Sequence, residues 1–147
     1  MQGQDIVDML LADEPRIATA ISSGAGWEIW MQVEFFILSM AKAWSVAREL
    51  PYPAPSAQKL DFGLQDNKVN FAVELKVESA TTAGAGFLPS FRADLVKIAA
   101  YTGVPAGNRF VVGIAYSGAA KAASAAVAGA GVTYKAGTSI GVLVQKV

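Results

Sequence analysis

The stretch from Lys68 to Glu78 alternates without a fault: Val69, Phe71, Val73, Leu75 and Val77 point one way, and Asn70, Ala72, Glu74, Lys76 and Glu78 the other. A period of two places successive side chains on opposite faces of a strand, so this segment is expected in a sheet with one apolar face against a core. The preceding run, Lys59 to Gln65, alternates too, with Leu60, Phe62 and Leu64 on one side and Asp61, Gly63 and Gln65 on the other. Asp66-Asn67 between the runs reads as a turn, which makes the pair a hairpin.

Around this hairpin the expected order is α-α-β-β-α-β-α-β. A helix is read near residues 4–21, a Ser-Ser-Gly-Ala-Gly break at 22–26, and a second helix from about Trp27 to Glu49. Pro51, Pro53 and Pro55 stop that helix, because proline cannot continue one and restricts its predecessor. One more short strand could lie in the proline-rich stretch. Beyond a Gly-rich loop at 81–86, Ser90 is read as the N-cap of a helix to about Tyr101, with Phe91, Leu95 and Ile98 at helical spacing. Arg109 to Tyr116 reads as a buried strand, Ser117 as the cap of a small-residue helix to about Ala128, and Ile140 to Val147 as a closing strand. The expected class is α/β, a central sheet flanked by helices. The 147 residues, 53% hydrophobic and 16% charged, fit one domain spanning 1–147.

The chain contains neither cysteine nor histidine. Disulfides, zinc–thiolate sites, imidazole ligands and the Ser-His-Asp triad are thereby excluded, leaving carboxylates, lysines, hydroxyls and hard cations. The acids Asp5, Asp8, Asp13 and Glu14 in the opening segment do not suit a secretory signal, and Gln32, Glu34 and Lys42 interrupt the most apolar run, Ile29 to Val46. No membrane association is expected, and the cytoplasm is the default location. Twelve basic residues balance twelve acidic ones, with no basic run of the kind that grips duplex phosphates.

On the hairpin's polar face, Asp61 can converge with Glu74 and Lys76. Two carboxylates in reach of one another favour a cation, oxygen-only donors suit magnesium or manganese, and a nearby lysine can orient water or offset charge on a phosphate oxygen. Glu34 is a third acid of interest. At about 100° per residue, it projects away from the polar face of its helix into a stripe of Trp27, Trp30, Met31, Ile37, Leu38 and Ala41. A carboxylate there must be paired, protonated or cation-bound. Glu28, beside Gln32, is read as solvated.

This arrangement resembles the PD-(D/E)XK, or restriction-endonuclease-like, nuclease superfamily: a helix with an acid (Trp30 to Glu34), a strand with Asp61, a strand with Glu74-Leu-Lys76, and a following helix with Arg92, Asp94 and Lys97. Leu60 stands where a proline often precedes the aspartate. The resemblance implies a restriction-endonuclease-like core with a mixed β-sheet, and Mg2+ or Mn2+ held by Asp61 and Glu74. It further implies that Lys76 positions water or stabilises the transition state, and that Glu34 supports the metal. The substrate it implies is nucleic acid, DNA ahead of RNA, engaged through a homodimer or a partner subunit. The alternative is a non-catalytic protein on the same scaffold, such as an immunity protein that neutralises a toxin.

Overall fold

The computed structural model describes every residue except Ala25 and Ala130, so part of the expected break at 22–26 lies outside the described residues. Its centre is a six-stranded mixed sheet of order β1-β2-β3-β4-β6-β5, formed by Ser45–Pro51, Lys59–Asp66, Val69–Val77, Arg109–Ala115, Val132–Ala136 and Gly141–Lys146 as β1 to β6. All neighbouring pairs are antiparallel except β3 and β4. A parallel pair needs a crossover, and the helix α4 (Phe87–Ala99) supplies it.

The expected alternation of β3 is realised from Phe71 to Val77, whereas Val69, at the turn end of the strand, is exposed. Phe71, Val73, Leu75 and Val77 join one core cluster with Phe110, Val112, Val142 and Val144. That cluster is closed by α1 (Gly3–Ala12) through Ile6, Val7 and Leu10 and by α3 (Trp27–Ala41) through Trp27, Met31 and Phe35. On the opposite face Ala72, Val111 and Leu143 meet Phe91 and Ile98 of α4. The short helix α5 (Gly118–Ala126) lies on that side as well, with Ala120 against Phe87 and Ala115. Ser117 caps it as expected, its hydroxyl accepting the Ala120 N–H at 3.1 Å. Gly113 has no room for a side chain, since a Cβ there would stand 2.9 Å from the Phe87 and Phe91 rings.

Several expectations are corrected. The helix expected over residues 4–21 is two helices, α1 and α2 (Glu14–Ser22), hinged at Asp13; Pro15 lacks the N–H that a continuous helix would need there. The helix expected to reach Glu49 ends at Ala41. Ala43 adopts a left-handed conformation (φ 60°), and from Ser45 the chain becomes β1, pairing Val46 with Leu64 and Arg48 with Phe62. Cross-strand pairing overrides helical propensity there, and the prolines end a strand instead of a helix. The crossover helix begins at Phe87 and carries Pro89 in its first turn, where no N–H is required. The edge strand β5 was not anticipated.

Candidate functional site

β2 and β3 pair from Asp66↔Val69 to Phe62↔Val73 and then separate. At the point of separation Asp61 Oδ2 accepts the Leu75 N–H at 2.8 Å, a side chain taking the place of a backbone acceptor. The split also turns Leu60 away from Phe62 and Leu64, into the cluster on the α4 side of the sheet. It opens a cavity of about 180 Å³ lined by Asp61, Glu74 and Lys76 together with Glu28 and Gln32 of α3 and Asp94 and Lys97 of α4.

Asp61, Glu74 and Lys76 are thus brought together, as the two polar faces required. Glu74 is almost wholly buried, and both its oxygens are occupied: Tyr52 donates its hydroxyl to Oε1 at 2.8 Å, and Lys97 its ammonium to Oε2 at 2.8 Å. Burial first, and the neighbouring Asp61 charge second, raise the Glu74 carboxyl to about 7 against the pull of Lys97 and Tyr52. Burial and the hydrogen bond to Glu74 likewise push the Tyr52 hydroxyl up. Lys76 pairs with Asp94 at 3.0 Å. On the α3 side Gln32 Oε1 accepts from Arg48 at 2.8 Å, and that guanidinium lies over the Phe62 ring at 5.7 Å.

Glu34 does not line this cavity. It faces α2, where Arg16 Nη2 meets its Oε2 at 3.0 Å, while its buried Oε1, on the side of Asp13, finds no donor among the described residues. The helical-wheel argument holds insofar as Glu34 is buried and needs a partner, but the partner is a guanidinium. The acid that α3 does contribute is Glu28. Its exposed position reads as solvated on a wheel because the mouth of an open cavity is also in contact with water. Asp94 and Lys97 face the site as the amphipathic pattern of α4 allows, whereas Arg92 is exposed away from it. Tyr52 carries no sequence signal: it follows β1 in the proline-rich stretch and reaches Glu74 only through the folded chain.

Among the described residues no three acidic side chains are gathered as a ready-made metal cluster. Tyr52, Lys97 and the Leu75 N–H hold three of the four carboxylate oxygens of Asp61 and Glu74, and Asp94 is tied to Lys76. The donor set nevertheless suits a hard dication. All its donors are oxygens, and the four carboxylates in the cavity wall outnumber the two ammonium groups by two charges when ionised. No helix among the described residues is long and apolar enough to cross a membrane. No family model, curated protein or solved structure matches the chain.

Proposed function

We propose that this protein is a metal-dependent nuclease of the PD-(D/E)XK type, hydrolysing phosphodiester bonds of nucleic acid, DNA ahead of RNA. The observation that carries the reading is the convergence of Asp61, Glu74 and Lys76 on one polar cavity at the place where β2 leaves β3. Asp61 and Glu74 are the residues that would hold Mg2+ or Mn2+, with Glu28 and Gln32 on the opposite wall able to hold water. The bound ion supplies Lewis acidity toward the phosphate oxygens. Lys76, fixed by Asp94, directs its ammonium to a non-bridging oxygen and offsets the charge that grows there as water attacks phosphorus and the leaving oxygen departs. The test is cleavage of mixed single- and double-stranded substrates with Mg2+ or Mn2+. Lys76→Ala is expected to slow cleavage about 10²–10³-fold, the usual cost of removing one charge-stabilising donor. A wild type that cuts none of these substrates, or a Lys76→Ala protein as fast as wild type, would sink the assignment.

A second reading, a non-catalytic protein that binds a toxin or another protein, draws on a different feature. The outward side of α3 exposes Ile29, Val33, Ile37 and Met40, an apolar stripe at helical spacing with no charge within it. A partner subunit or a second copy on this stripe is also compatible with the nuclease reading, since it would enlarge a surface that has no basic run of its own.

A further inference from the structure

Of the two donors on Glu74, one is built into the core and the other is not. Tyr52 is buried, its ring edge-on to Tyr101 at 5.1 Å, so its hydroxyl cannot leave Oε1 without repacking that cluster. Lys97 reaches across from α4 on a flexible side chain that is 23% exposed, and its ammonium sits 5.6 Å from the Tyr52 ring centre and 2.8 Å from Oε2. Lys76, the other ammonium in the cavity, is committed to Asp94. Asp61, Glu74 and Lys97 line the same cavity, so the ammonium of Lys97 already occupies an oxygen of Glu74 that a cation held there would contest.

We propose that Lys97 is a built-in counter-ion which holds the cation-free cavity together and must give up Glu74 when a dication binds. This rests on the reading of Asp61 and Glu74 as cation ligands. Binding is then an exchange: the Lys97–Glu74 ion pair breaks, the dication takes the freed oxygen, and the ammonium is released to the α4 wall. There it is free for an anionic oxygen of a substrate. Because the same ammonium cannot serve Glu74 and a substrate at once, dication binding and anion binding favour each other, as linkage requires.

The experiment is calorimetric titration of Mg2+ at pH 8.5 into the wild type, Lys97→Met and Lys76→Met. Removing a charge-assisted bond that the ion has to break should tighten Mg2+ binding to Lys97→Met roughly ten- to hundredfold. Lys76→Met should tighten it less, because Lys76 does not occupy Glu74; a general effect of removing positive charge would move both variants alike. Should Lys97→Met melt too low to titrate, Lys97→Gln, which keeps a polar end, replaces it under the same expectation. A wild type that binds Mg2+ while neither Lys97 variant binds it more tightly than Lys76→Met overturns the counter-ion role and leaves the cation site standing. Failure of every variant to bind overturns both. Binding by Lys97→Met alone supports the exchange in its strongest form.

Discussion

Glu74 and Glu34 are both buried acids on the flanks of one sheet, and both have their carboxyls pushed upward chiefly by burial. They differ in what surrounds them. Glu74 is met by Tyr52 from the segment after β1 and by Lys97 from α4, its two oxygens are satisfied, and it opens with Asp61 of β2 on a polar cavity with an excess of acids. Glu34 is met by Arg16 of α2 and by Asp13 at the hinge before it. One oxygen takes Arg16, the other is unpartnered, and Asp13 Oδ2 beside it is unpartnered too. The nearby groove, lined by Pro15, Arg16, Thr19, Ala20, Ser23 and Trp30, contains no acid. A buried charge alone therefore marks a cost to be met; convergence of several elements on a wetted cavity is what marks a candidate for chemistry.

A third acid sharpens this contrast. Glu78, just beyond β3, is fully buried, yet its carboxyl lies below the ordinary range. Burial pushes it up, but the N–H groups of Gly84, Tyr116 and Ser117 donate to it at 2.7, 2.7 and 2.8 Å and prevail. It ties the loop after β3 to the start of α5 and faces no cation seat. Glu78→Ala, leaving three donors without their acceptor, is expected to lose roughly 3–5 kcal/mol of stability in urea denaturation. This should be the largest stability effect among the three acids. A loss under about 1 kcal/mol would show that water replaces the carboxylate and that the site is not structural.

The next effect is a pH dependence. The folded-state carboxyl of Glu74 titrates at about 7 against an ordinary 4.5, so the folded form holds its proton more firmly than the unfolded one. Its contribution is therefore fully present below pH 4.5 and is lost as pH rises through about 7. In Mg2+-free buffer the wild type should lose roughly 3 kcal/mol relative to Glu74→Gln across that window. Parallel stability curves for the two proteins would mean that Lys97 and Tyr52 hold Glu74 ionised throughout.

The hairpin that carries the site was legible in the chain because period-two alternation in β3 is strict and its polar residues are few. What could not be read was the departure of β2 from β3 at Asp61, which depends on a side chain taking a backbone hydrogen bond. The strand β1 was hidden because Ser45 to Leu50 continues an apolar helix without a breaker, and only pairing with β2 makes it extended. Glu28 and Glu34 exchanged roles for a related reason: a helical wheel gives angles about an axis, but not which neighbour stands at each angle. Only the docked α2 supplies Arg16, and only the β2–β3 split gives Glu28 a cavity to face.

The smallest effect is also the one that separates the two regions most cleanly. Burial raises the Glu34 carboxyl, Arg16 lowers it, and Asp13 raises it again, the net direction being upward. By the same sign argument, the stability tied to the protonated form is lost as pH climbs above the ordinary carboxylate range. Glu34→Gln removes that loss, keeps an oxygen for Arg16, and adds an N–H that can reach the unpartnered Asp13 Oδ2. At neutral pH it should gain about 1 kcal/mol, the worth of one net hydrogen bond, with a flatter dependence of the thermal midpoint on pH. Mg2+ affinity should stay at the wild-type value in Glu34→Gln and fall in Glu28→Gln, because only Glu28 belongs to the cavity wall. A Glu34→Gln protein that loses Mg2+ affinity as Glu74→Gln does would reunite the two regions and return Glu34 to the site.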